Sequence, residues 1–164
     1  MGAAWRMLKG MSATMSPAWQ AALQRIRAAR QAPHYLPAML IAVLDHLDRG
    51  TLELPSVWFE PMEQQFLRVL VRHGLPGTDK AWDPFFHLSV RARVWTLWLG
   101  EARADFSDLP KGAQRATPRP KSRAQLVVRA DHAEFVDELL PQLRLARGRE
   151  LVRRELEAML VDGD

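Results

Sequence analysis

The stretch that most narrows the fold of this chain runs Pro37-Ala38-Met39-Leu40-Ile41-Ala42-Val43-Leu44-Asp45 and closes on Arg49-Gly50. Met39, Leu40, Val43, Leu44 and Leu47 recur at helical spacing, and Ile41 and Ala42 widen the stripe until little of the circumference is polar. Such a helix has to be surrounded. The pattern therefore predicts a buried central helix from about Pro37 to Gly50, with the glycine as its stop and the rest of the chain wrapped round it. His46 and Asp48 read as solvent-side residues at its end.

Other helices are readable by the same criteria. Ser16-Pro17 is an N-cap followed by proline at the first helical position, with Trp19, Leu23 and Ile26 on one face and Arg25, Arg27 and Arg30 solvated. Pro61 opens a third helix that buries Met62, Phe66, Val69 and Leu70 and stops at His73-Gly74. Asp131 with Glu134 has the form of a capping box, which would start a helix burying Phe135, Leu139 and Leu140. A last helix, about Arg149 to Val161, would put Leu151, Leu156, Met159 and Leu160 inward and Arg147, Arg149, Arg153 and Arg154 outward.

Strand signals are fewer. In Asp79-Lys80-Ala81-Trp82-Asp83-Pro84-Phe85-Phe86-His87-Leu88, the proline lacks an N–H and biases Asp83 toward extended backbone, so the segment reads as entering a strand there. Phe85 to Val90 and Val94 to Leu99 are expected to pair as a hairpin with Arg91-Ala92-Arg93 near the turn, and Leu126-Val127-Val128 as a third short strand. Leu52, Leu54 and Val57-Trp58-Phe59 read as an apolar connection. The resulting fold class is α+β and mainly helical, a single domain with a small antiparallel sheet packed among about five helices.

A length of 164 residues suits one domain, with residues 1–14 read as a flexible arm. No run approaches the ~20 apolar residues that span a bilayer, and no signal-peptide pattern precedes the first helix, so a cytoplasmic location is expected. With no cysteine there is neither a disulfide nor a thiolate ligand or nucleophile. The formal charge of +4 is unevenly spread. From Pro110 to Ala130 lie Lys111, Arg115, Arg119, Lys121, Arg123 and Arg129 without one acid, so the rest of the chain is net acidic. Most of this window belongs to a basic loop over residues 101–123, rich in proline and aspartate as well, which is long enough to be functional. Only four of the 23 cations are lysines, and arginine's planar fork suits phosphate oxygens.

Catalytic signatures are lacking. There is no glycine-rich nucleotide loop, no phosphate-loop lysine motif and no nucleophile elbow. His34, His46, His73, His87 and His132 have no metal-ligand spacing, and the chain contains no asparagine. The composition points to a binding domain without cofactor or metal.

In their order and spacing, the central-helix run, the Pro84-Phe85-Phe86-His87-Leu88 segment, Trp95 shortly beyond it, Asp137-Glu138-Leu139-Leu140 and the Arg149 to Leu160 ending resemble one family. It is the sulfur-binding domain of McrA-type HNH restriction endonucleases, and the resemblance spans roughly residues 15 to 162. It implies recognition of phosphorothioated double-stranded DNA as the targeting domain of a modification-dependent restriction endonuclease. The HNH nuclease, which needs an asparagine, would lie in another domain of the parent protein. The resemblance places a sulfur cavity at Pro84, Phe86 and His87, with Tyr35 closing one side. Where the family has an aromatic residue before the cup proline, this chain has Asp83, with Trp82 one position earlier. His34, Lys80, Arg91, Arg93, Lys111, Arg115, Arg119, Lys121 and Arg123 are the expected DNA contacts, and a homodimer on a palindromic site is left open. Two other classes fit the residues: a DNA-binding module indifferent to sulfur, and a helical protein-interaction domain of a larger enzyme. His87 also reads as a satisfied histidine between strands, and Trp95 and Trp98 as core.

Overall fold

The computed structural model describes residues 14–29, 34–109 and 118–161. Helix α1 (Pro17–Ala28) starts where Ser16 Oγ accepts the Trp19 N–H at 3.2 Å. Helix α2 (Tyr35–Arg49) is the central helix, with Leu36 to Asp45 buried without interruption. Gly50 ends it in the left-handed region at φ 73°, and the Thr51 N–H closes back on the His46 carbonyl at 3.0 Å. Strand β1 (Ser56–Trp58) leads directly into α3 (Phe59–Arg72), so Trp58 is the N-cap and Pro61 lies in the first turn rather than opening the helix.

Residues 82–90 form helix α4 (Trp82–Val90), not the strand that the sequence suggests, and so there is no hairpin between Phe85–Val90 and Val94–Leu99. The reason is burial on every side. Trp82 and the five residues from Pro84 to Leu88 are all buried, which leaves no polar face to reveal a 3.6-residue period. Pro84 fits because the first turn of a helix does not need its N–H. Strand β2 (Trp95–Leu99) pairs instead with β3 (Ala102–Arg103) across a tight Gly100-Glu101 turn, Gly100 taking φ 59°.

The C-terminal third differs as well. The proposed third strand at Leu126 is helix α5 (Arg123–Val127), started by Ser122 Oγ accepting the Gln125 N–H at 3.1 Å. Asp131 does not cap a helix; its carboxylate takes the Gly100 N–H, and strand β4 (His132–Phe135) follows. A 3-10 turn (Asp137–Leu139), α6 (Leu140–Arg144) and α7 (Ala146–Val161) complete the chain.

The sheet order is β1-β4-β2-β3, antiparallel throughout. Val57, Ala133, Leu97, Trp95 and Phe135 face the helices and are buried. Trp95 locks the sheet to α4: its indole N–H donates to the Phe85 carbonyl at 3.0 Å, and its ring meets Phe85 and Phe135. On the other side of the core, α2 packs against α3 and α7. Arg149 and Arg153, expected to point into solvent, instead stitch α7 to α2. Arg153 contacts Asp45 and Asp48 at 2.9 Å each, and Arg149 reaches Asp48 at 2.7 Å.

Candidate functional site

Two helix N-termini and the loop between α3 and α4 carry the expected cup. His34 is the N-cap of α2 but makes no side-chain cap, no acid stands in that first turn, and its Nδ1 is buried without a hydrogen-bond partner. The positive end of a 15-residue helix dipole is therefore not neutralised from within its own first turn. Tyr35, half-buried, packs edge-on against Phe66 at 5.8 Å and donates its hydroxyl to the Pro76 carbonyl at 3.5 Å. That bond ties the 74–80 loop to α2. Lys80 at the end of this loop is exposed, and its N–H is taken by Thr78 Oγ1 at 3.1 Å.

Beyond Lys80 comes the first turn of α4, with Pro84 buried in it. Phe86 is only 2% exposed and meets Phe106 edge-on at 5.1 Å, so it is a core residue rather than an open wall. His87 lies one turn beyond Asp83 on the same helix face, and Nε2 contacts Asp83 Oδ1 at 3.3 Å. Its side chain is 7% exposed and Nδ1 has no partner. His87 is thus held by a carboxylate on its own helix, not between strands, and one ring nitrogen remains unused.

The basic residues divide. Lys80, Arg93, Arg119 and Lys121 are exposed and Arg91 is half-buried, and none of the five forms an ion pair among the described residues. Arg93 holds a left-handed backbone at φ 53° in the turn after α4. Arg123 is committed elsewhere: its Nε reaches both Glu63 oxygens at 2.9 and 3.1 Å, and the guanidinium lies 5.5 Å from the Phe59 ring centre. Lys111 and Arg115 lie outside the described residues. The structure thus ties Tyr35 to Pro76, on the loop that precedes Lys80, and sets Asp83 beside His87 on α4, and it withdraws Arg123.

A second group escaped the sequence reading. The sheet face turned away from the helices carries Trp58, His132 and Trp98 in register on neighbouring strands, with Arg103 opposite Trp98. Trp58 and His132 stack at 4.6 Å and 29°. His132 Nδ1 bonds Asp131 Oδ1 at 2.6 Å, and Nε2 lies 3.7 Å from Glu134. The signal was present in His132-Ala133-Glu134-Phe135, whose strict alternation is that of a strand with a polar outer face. Beside Trp58 opens a cleft of about 540 Å³, also lined by Phe59, Glu60, Pro61, Val127, Ala130 and Asp131.

Among the described residues, no three histidine or acidic side chains are grouped so as to hold a metal ion, and no helix is long and apolar enough to cross a membrane. No family model matches the chain, and no curated protein matches it.

Proposed function

We propose that this domain reads phosphorothioate linkages in double-stranded DNA, serving as the targeting domain of a modification-dependent restriction endonuclease whose HNH nuclease is carried in a separate domain. The observation that supports this reading is His87: a buried ring oriented by Asp83, one turn past Pro84, with Nδ1 left without a partner. Nε2 lies 3.3 Å from Asp83, and Nδ1, buried and unpartnered, is the ring nitrogen that would meet a phosphate oxygen once the side chains over it shift. The apolar neighbour at that point is Pro84, which has no N–H to offer.

Sulfur in place of a non-bridging oxygen is larger, softer and a poorer hydrogen-bond acceptor. Burying about 40 Å² of it contributes only about 1 kcal/mol. The greater effect is exclusion of the normal linkage, because an oxygen set against Pro84 without a donor loses about 1 to 3 kcal/mol of hydration. A cup for one atom needs little open surface, so the floor can belong to a side chain that is largely packed. Tyr35, already committed to Pro76, forms the fixed side wall. Strength of binding then comes from Lys80, Arg91, Arg93, Arg119 and Lys121 on phosphates, which position the duplex without reading it.

The test is competition between a phosphorothioate duplex and its unmodified twin at one salt concentration. The expected outcome is a preference of about tenfold or more for the modified duplex, equivalent to about 1.4 kcal/mol. In Pro84→Ala that preference falls toward one while residual duplex binding persists. Equal affinity of the unaltered protein for the two duplexes dismisses the reading and leaves a sulfur-indifferent DNA module. No binding to either duplex dismisses both.

A further inference from the structure

We propose that the cleft beside Trp58 is a docking site for an arginine side chain of a partner polypeptide, its guanidinium stacked on Trp58 and forked onto Asp131 and Glu60. Trp58 is 50% exposed although it is a large apolar residue, and one face of its indole is already covered by His132. The rest of the residue lines a cleft of about 540 Å³, a volume in the range of sites that hold small ligands or side chains.

Charge decides the occupant. Glu60 and Asp131 line the cleft with Trp58, and no lysine or arginine pairs with either among the described residues. Phosphate is repelled there, so the cleft does not belong to the DNA surface proposed above and does not depend on it. A cation is attracted both by the carboxylates and by the indole face. Asp131 is both fixed and accessible, since the Gly100 N–H and the His132 ring hold the carboxylate while 37% of the side chain stays exposed. Despite the burial that opposes it, those hydrogen bonds hold its pKa below the ordinary aspartate value, so it remains anionic.

Arginine fits better than lysine for a geometric reason. The available surface is one flat ring beside a carboxylate, which a planar guanidinium satisfies by stacking and by a paired hydrogen bond, whereas an ammonium is a point charge. The protein already sets a guanidinium beside a ring and an acid once at the rim, where Arg123 lies over Phe59 and its Nε–H is shared between the two Glu63 oxygens. The cleft repeats the ring and the acid at Trp58 and Asp131, where no lysine or arginine is paired among the described residues; Arg123 at the Phe59 rim is bound to Glu63 and only adds its field to that of Glu60. Its remaining wall, Pro61, Val127 and Ala130, is apolar, which suits hydrophobic residues flanking the arginine in a peptide rather than the free amino acid.

The experiment titrates the isotopically labelled protein with acetyl-Leu-Arg-Leu-amide and with the same peptide carrying neutral citrulline, and follows amide and indole N–H resonances. Saturable shifts are expected at the Trp58 indole, Ala130 and Asp131 with the arginine peptide, at least about tenfold weaker with citrulline, and weaker again at high salt. Trp58→Ala removes the binding, and Glu60→Gln, at an exposed position outside the core, weakens it by about threefold or more without altering the fold. Equal binding of the two peptides, shifts confined to another surface, or no saturation overturns the proposal.

Discussion

Gly148 shows how one residue can hold two helices at a fixed separation. It is buried in the first turn of α7, and a Cβ built there would overlap the backbone carbonyl oxygen of Gln142. Gln142 is itself an anchor. Its side chain donates to the Gly148 carbonyl at 3.2 Å and accepts the Ser16 N–H at 2.9 Å, so the α6–α7 corner also fixes the start of α1. Gly148→Ala is therefore expected to cost about 1 to 3 kcal/mol, the usual range for forcing extra volume into packed backbone, despite alanine's better helix propensity. Urea denaturation measures it; a neutral or stabilising outcome would mean that the two backbones separate without penalty.

The pairing of α7 with α2 rests on charge as much as on apolar contact. Asp45, 8% exposed, accepts from Gln65 at 2.8 Å, from Arg153 at 2.9 Å and from Arg72 at 3.3 Å. Burial alone would raise its pKa, but the Gln65 and Arg153 hydrogen bonds and the two guanidinium charges outweigh it and leave the pKa below the usual aspartate value. A pKa lower in the folded than in the unfolded state stabilises the protein above the unfolded value of 3.8, and that contribution is lost as pH falls through the folded one. Asp45→Asn is expected to cost about 2 kcal/mol at pH 7, between an exposed pair and a fully buried one, and the gap to the unaltered protein should close in acid below that value. Denaturation midpoints of both proteins from pH 7 to pH 3 check this; a gap independent of pH refutes it. By contrast Arg154, paired with Glu150 on the exposed side of the same helix, should cost under about 0.5 kcal/mol on change to alanine. These two arginines look alike in the sequence, because helical period reports which face is apolar and not where a neighbouring acid will lie. The same limit explains the other differences. The all-round apolar run of α2 was legible, and so were Ser16-Pro17 and Gly50, because each acts locally. Residues 82–88 were misread because burial on all sides erases period. Asp131 and Glu134 mimic a cap until the strand partners Trp98 and Thr96, more than thirty residues earlier, are supplied. Of the candidate cup, the sequence brought Pro84 and His87 to one segment; only the fold pairs His87 with Asp83 and ties Tyr35 to the neighbouring loop.

Across the whole molecule, the distribution of free and committed cations matters more than the formal charge of +4. Arg27, Arg72, Arg123, Arg129, Arg149, Arg153 and Arg154 all lie in ion pairs with acids of the same chain, so they carry little net field outward. Lys80, Arg91, Arg93, Arg119 and Lys121 do not, and DNA binding, if it uses the surface proposed above, must draw on these. Each phosphate neutralised contributes about −0.9 to the slope of log affinity against log salt on duplex DNA. Changing Lys80 to glutamine should therefore make the slope shallower by about one, with sulfur preference retained, since the proposal gives Lys80 a phosphate contact and no place in the cup. Arg123→Gln is expected to leave the slope unchanged, because its guanidinium is already held by Glu63 through Nε and releasing it would strand that carboxylate. Affinities measured at several salt concentrations for the two variants decide the matter. A slope that shifts with Arg123 and not with Lys80 would place the duplex on the α5 side of the molecule, against Phe59 and the acidic cleft, where the arrangement of charges opposes it.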